Sequence, residues 1–336
     1  GEWWFRSPPP HVVYESWRGS LWGTILCLGL LCLLAWASRY AWFRRISVVA
    51  IAGLCVFLWL NREQTPTQDG TGPDVVLISI DTLRADHVGP WSEGKHTTEV
   101  MDRLASDGAY FRHTYAPIAV TGPSHAAMLT GVGPWHSKML LNGVPIPVGT
   151  TMLSETLRSE GYRTGGFVGA YVLDGELGFR RGFEIYDDDF GGLRGWSRTG
   201  PGRIHAMIAR HLWPTHIVER RGDRTVDRAL SWVAELDDSP MFLWVHLFDP
   251  HGPYSPPPPF DTMHYSGDPR SPSHTSMDKV QGVAEYLQSS LEGIRDVDWV
   301  RAQYAGEVSF VDQQIGRLVG DLKLRGRWED TIFVVV

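Results

Sequence analysis

DVVLISI, residues Asp74–Ile80, decides how this chain reads. A short, β-branched, apolar run of this kind marks a strand buried on both faces of a parallel sheet. Asp81 follows at its carboxyl end, which is where open α/β sheets bind their ligands. Outward from there the pattern alternates. Thr97–Asp107 puts Val100, Met101, Leu104 and Ala105 on one helical face, and Leu153–Glu160 is a second helix, ended by Gly161. Tyr162–Ala170 is a strand weakened by its glycines. Arg224–Leu236 repeats Val226, Ala229, Leu230 and Val233 at helical spacing. Met241–Phe248 (MFLWVHLF) is a buried strand with Asp249 at its carboxyl end. Tyr304, Val308, Val311, Ile315, Leu318 and Leu322 mark a long amphipathic helix, and Thr331–Val336 is the next strand. Alternation of this sort predicts an α/β fold, a mostly parallel sheet with helices on both faces. The charge run Asp187–Asp189 reads as a solvated loop, and the proline-rich Ser255–Pro259 as a stiff surface loop.

The 336 residues carry a net charge of −7, and no basic stripe breaks that balance, which argues against a nucleic-acid partner. Cys27, Cys32 and Cys55 all lie in apolar segments near the N-terminus. The remainder therefore offers no disulfide framework, no thiolate metal cluster and no cysteine nucleophile. The chain starts at Gly1 and stops inside an apolar run, so a fragment open at both ends is expected.

Residues 21–60 read as a transmembrane hairpin after an N-terminal flank, 1–20. Leu21–Ala37 and Ile46–Leu60 are uncharged apolar runs of nearly spanning length, with Trp17, Trp22, Trp36, Trp42 and Trp59 at their ends. The loop between them holds Arg39, Arg44 and Arg45, which places it in the cytoplasm by the positive-inside rule. Everything beyond the polar linker 61–73 then lies on the periplasmic or extracellular side. A buried soluble hairpin is the alternative.

Ala116–Gly131 (APIAVTGPSHAAMLTG) carries the chemistry. With Pro123 opening a helix, Thr121 sits just ahead of the positive dipole end, a place to hold an anion. The plainer alternative makes Thr121 or Ser124 the cap of that helix. Asp81 can bind a divalent cation, which would lower the pKa of the Thr121 hydroxyl and orient it for attack. His251, in FDPHGPY (248–254), can bind a transferring anion or protonate a leaving oxygen. Ser124, Lys138 and Asn142 are candidate substrate-binding groups. Asp81, Thr121, Asp249 and His251 are expected on loops at one edge of the sheet.

The ordered stretches DVVLISIDTLRADHVG (74–89), TGPSHAAMLTG (121–131), LLNGVPIP (140–147), the glycine-rich run 156–190, WVHLFDPHGPY (244–254) and YAGEVSFVDQQIGRL (304–318) resemble the sulfatase family of the alkaline phosphatase superfamily. The resemblance implies an alkaline-phosphatase-like sheet sandwiched by helices over 74–336, incomplete at its C-terminus. It implies that Asp81 is the first metal-binding aspartate and Thr121 the nucleophile. It sets His125 where sulfatases usually carry an arginine supporting the nucleophile, and it makes His251 the anion-binding histidine of a His-x-Pro-Tyr motif. Asn142 resembles a substrate-side asparagine of related phosphoester enzymes.

Departures shape the expected chemistry. Sulfatases oxidise a cysteine or serine to formylglycine, and Thr121 cannot be so converted. Thr82 replaces a second aspartate, and the Lys-x-His signature is absent. The remaining metal ligands are expected just after Val336. The reading is therefore metal-dependent cleavage of phosphate or sulfate esters through a Thr121 intermediate, with His125 and His251 gripping the anion. The cation is Zn, Mn, Mg or Ca, and an Asp-His continuation would favour a transition metal. An envelope glycan or lipid ester is the expected substrate, on grounds of location. The alternatives are a formylglycine-independent sulfuric ester hydrolase and an inactive membrane-bound anion-binding receptor.

Overall fold

The computed structural model describes residues 70–89, 97–190 and 219–336. The expected hairpin 21–60 and its flank 1–20 lie outside the described residues. Among the described residues no helix is long and apolar enough to cross a membrane.

Five strands form one sheet: β1 (Asp74–Ile80), β2 (Arg163–Val168), β3 (Ile185–Asp187), β4 (Met241–Leu247) and β5 (Thr331–Val335). Their order is β3-β2-β4-β1-β5, and every pairing is parallel. The two most apolar strands, β1 and β4, pair at the centre, with Ser79 opposite His246 and Ile80 opposite Leu247. The principal helices are α1 (Glu99–Asp107), α2 (Thr121–Thr130), α3 (Leu153–Ser159), α4 (Gly222–Ala234) and α5 (Val297–Leu324).

Side chains alternate across a strand, so each strand feeds both faces of the sheet. Val76, Ile78, Ile80, Leu243, Val245 and Leu247 meet α4 and α5 through Val226, Trp232, Val311, Ile315 and Leu318. Leu77, Phe242 and Trp244 point the other way, against Ala126 and Leu129 of α2 and the rings of Phe179 and Phe183. The expected three-layer arrangement is thus present. The glycines of β2 fit this packing rather than opposing it. A Cβ at Gly165 would stand 2.8 Å from the Trp232 ring, and one at Gly166 would stand 2.8 Å from the Tyr186 ring.

The structure corrects two local expectations. Asp187–Asp189 is not a solvated loop. Asp187 ends the edge strand β3 and accepts a 2.8 Å hydrogen bond from the buried Arg220 guanidinium, while buried Asp188 accepts from Gly175 N at 2.9 Å. A charge run shows only its polarity in sequence, and the buried guanidinium that pairs with it comes from a distant segment. Pro123 does not open α2 either. The helix starts at Thr121 itself, with Val120 as the cap residue and no side-chain cap bond, so neither Thr121 nor Ser124 caps it.

Candidate active site

Asp81 is placed by the centre of the sheet. Its backbone N–H donates to Leu247 O at 3.0 Å, which continues the β1–β4 ladder one residue past β1. The carboxylate is buried, 7% exposed, at the carboxyl ends of the central strands. Thr121, the first residue of α2, donates its Oγ1 hydrogen to Asp81 Oδ2 at 2.9 Å. The next residue must be small. Gly122 N donates to Asn142 Oδ1 at 2.8 Å, and a Cβ on Gly122 would come within 3.1 Å of the same oxygen. Asn142 therefore secures the first turn of α2 through its side-chain carbonyl.

His125 lies one turn into α2 and faces the sheet. Its Nδ1–H donates to the Thr121 carbonyl at 2.8 Å, since a carbonyl only accepts. Trp244 Nε1–H donates to Ser79 Oγ at 3.0 Å, and that hydroxyl in turn donates to His125 Nε2 at 3.1 Å. The network leaves His125 neutral. Burial, with the neighbouring His246, pushes its pKa down to about 4. Both ring nitrogens, expected to grip an anion, are engaged here by Thr121 O and Ser79 Oγ beneath the site. The residue shapes the floor of the site instead.

His246 is the residue that sequence reading missed. It is wholly buried on β4, with its Nε2 3.7 Å from Asp81 Oδ2 and its ring edge-on to His125 at a centroid distance of 4.7 Å. Burial alone would raise the Asp81 pKa. His246 outweighs that, with smaller contributions from His125 and His251, and holds it below the ordinary carboxylate value. The signal for His246 was a lone polar residue in an otherwise apolar strand.

His251 is held on the loop after β4. Its Nδ1–H donates to Gly252 O at 2.7 Å. Its ring stacks on Phe248 at 4.5 Å and on Tyr286 at 5.7 Å, a second residue the sequence did not single out. The other ring nitrogen, Nε2, is the one that can meet a ligand. The remaining expected residues diverge. Asp249 turns away from Asp81 and accepts from Gly222 N at the start of α4, at 2.8 Å. Lys138 is exposed at the end of a short helical turn, Pro134–Ser137, and no hydrogen bond or ion pair among the described residues joins it to Asp81 or Thr121. Ser124 is half-buried within the first turn of α2.

The donor set suits a divalent cation in part. A buried carboxylate held in its ionised form and an adjacent alcohol oxygen are hard ligands, and the unpartnered nitrogens of His246 lie beside them. Among the described residues no group of three or more His, Cys, Asp or Glu side chains is arranged to hold a metal ion. Asp81 and Thr121 by themselves would supply only part of a cation's ligands.

A parallel α/β sheet thus carries, at its carboxyl edge, an alcohol hydrogen-bonded to a buried aspartate, with the stacked His251 ring on the loop after β4. The chain belongs to the Sulfatase family, whose model matches residues 73–336. It is 23% identical over 320 residues to the multifunctional alkaline phosphatase superfamily protein PehA of Trinickia caryophylli, covering 79% of this chain and 62% of that protein. It is 25% identical over 309 residues to an arylsulfatase of Clostridium perfringens, with the same coverage of 79% and 62%. Among solved structures, the phosphonate monoester hydrolase of Agrobacterium radiobacter shares the fold with a TM-score of 0.55 at 21% identity, over 78% of this chain and 62% of that one. BT4656 in complex with D-glucosamine-2-N,6-O-disulfate does so with a TM-score of 0.56 at 19% identity, over 79% and 65%. The chain spans less than two thirds of the length of each.

Proposed function

We propose that this sulfatase-family chain is the core of a metal-dependent hydrolase or transferase that cleaves phosphate or sulfate esters through a covalent intermediate on Thr121. One observation carries the reading: the Thr121 hydroxyl donates to the buried Asp81 carboxylate at the carboxyl edge of the central strands. Asp81 and Thr121 would hold a divalent cation together with further ligands. When bound, the ion supplies charge neutralisation and lowers the pKa of the Thr121 hydroxyl. Thr121 Oγ1 then bonds to the phosphorus or sulfur as the bond to the ester oxygen breaks. The Thr121 proton passes to solvent as the hydroxyl ionises, while Asp81 stays a carboxylate. The departing oxygen takes its proton from Nε2 of His251 in the imidazolium form, which returns to the neutral Nδ1–H ring held by its bond to Gly252 O and by the two flanking aromatic rings. The positive end of α2 faces the transferring group. Water or an acceptor alcohol afterwards displaces Thr121 from the bound group.

A threonyl ester has no aldehyde into which to collapse, and that property favours phosphoryl over sulfuryl transfer. Membrane anchoring through 21–60, with this domain on the periplasmic or extracellular side, points to an anionic ester of an envelope glycan or lipid. The test is turnover by full-length protein supplied with Mn2+ or Zn2+ on aryl phosphate mono- and diesters, aryl phosphonates and aryl sulfates. Phosphoester or phosphonate turnover that disappears in Thr121→Ala is expected. Turnover of sulfates alone would favour a formylglycine-independent sulfuric ester hydrolase. Anion binding without any turnover would favour the receptor reading.

A further inference from the structure

His246 is a buried polar group whose ring nitrogens make no hydrogen bond among the described residues. It is the one polar side chain between Met241 and Leu247, it is wholly buried, and neither ring nitrogen has a hydrogen-bond partner among the described residues. An unpaired buried donor or acceptor loses its water without gaining a partner, so it destabilises the fold. This one is aimed at Asp81. The β1–β4 register sets His246 opposite Ser79, and the two-residue alternation of β1 carries that same face on to Asp81. Nε2 stops 3.7 Å from Asp81 Oδ2, beyond hydrogen-bond length but within reach of a small side-chain rotation. A carboxylate only accepts, so the hydrogen between them belongs to Nε2. His125 cannot take this place, because Thr121 O and Ser79 Oγ already engage its two nitrogens.

We propose that His246 is the positioning residue of the Asp81–Thr121 pair. Its Nε2–H fixes Asp81 Oδ2, the oxygen that also receives the Thr121 hydroxyl, and so sets the orientation of the carboxylate that would hold the cation. A side chain behind a metal-binding carboxylate fixes the orientation of that ligand, and losing such a partner typically weakens metal binding by about 10–100-fold. The proposal rests on reading Asp81 as a metal ligand, but its test does not require turnover.

The test uses full-length protein and Mn2+ as the probe. The cation concentration that half-saturates the rise in melting temperature is measured for the wild type, for His246→Phe, which fills the space without a donor, and for His246→Gln, which restores an N–H. The expected result is a half-saturation about 10–100-fold higher in the Phe variant, with recovery to within about threefold in the Gln variant. Where turnover is detected, kcat falls in the Phe variant while KM for the ester holds. A purely structural role would lower the metal-free melting temperature and leave the Mn2+ response unchanged, and that result overturns the proposal. Should the Phe variant fail to fold, 15N-histidine spectra of the wild type, assigned through the Gln variant, decide the matter. The Nε2–H tautomer is expected, and the Nδ1–H tautomer would overturn it. Absence of any turnover in the wild type alongside a His246-dependent Mn2+ response would sink the proposed reaction and leave this inference standing.

Discussion

Thr121 Oγ1 and Asp81 Oδ2 lie 2.9 Å apart although 40 residues separate them in the chain. One opens α2 and the other follows the carboxyl end of β1, so the contact exists only because α2 packs on the sheet. Thr121→Ala should reduce ester turnover by about 10³-fold or more, as expected for loss of an attacking group. Thr121→Ser keeps the hydroxyl and should retain measurable turnover. Melting temperature in the absence of metal should change little in either variant. Wild-type rates in Thr121→Ala would remove this hydroxyl from the reaction.

Removing the cation is a separate prediction. Chelation with EDTA should abolish turnover and lower the melting temperature, and added Mn2+ or Zn2+ should restore both, because a ligand that binds only the folded state stabilises it by mass action. Asp81→Asn should remove this metal response. Turnover that persists after exhaustive chelation would contradict a metal-dependent mechanism.

His125 predicts a particular acid sensitivity. Its pKa is lowered in the folded state to about 4, so between pH 6.5 and 4 the unfolded chain binds the proton that the folded chain refuses. Stability therefore falls as pH drops through that window, by about 3 kcal/mol in all. His125→Gln should flatten the slope of stability against pH there. An unchanged slope in that variant would mean that another group titrates.

A second buried pair acts in the opposite sense. Glu307 of α5 accepts from Ser255 N at 2.7 Å, and burial, reinforced by the charge of Asp249, pushes its pKa up to about 8. Asp249 is itself raised, by burial. Here the folded state holds the proton longer, so stability declines as pH rises from about 4.5 to 8, with a limiting slope of about 1.4 kcal/mol per pH unit. Glu307→Gln keeps an acceptor for Ser255 and should raise the melting temperature at pH 8 relative to the wild type. A lower melting temperature at pH 8 in that variant would show that the ionised carboxylate stabilises the loop instead. Asp249 stands just before His251, and Glu307 holds the loop just after it through Ser255 N.

Asp312 secures α1 from across the molecule. Its two oxygens accept from Val100 N at 2.8 Å and Met101 N at 2.9 Å, which satisfies two N–H groups of the first helical turn. Asp312→Ala should cost about 1–2 kcal/mol, read as a lower urea midpoint with an unchanged m-value. Asp312→Asn retains one acceptor and should cost less.

Much of the fold was legible in the sequence. The apolar runs of β1 and β4 and the helical spacing of α4 and α5 are properties of neighbouring residues, since burial on two faces or along one stripe requires them locally. Asp81 was legible as well, because the end of a parallel strand is marked by where its apolar run stops. What only the tertiary structure decided is which side chains share a space. Whether His125 faces substrate or floor depends on Ser79 and Trp244, residues of β1 and β4 that no spacing rule connects to α2. Asp249 and His251 are two positions apart, yet the turn after β4 sends one toward α4 and the other against Phe248 and Tyr286. His246 was visible only as an unexplained polar letter in an apolar strand. Its meaning came from the register, because a sheet aligns residues that are remote in sequence to within a few ångströms, and electrostatic partnership is a property of that distance alone.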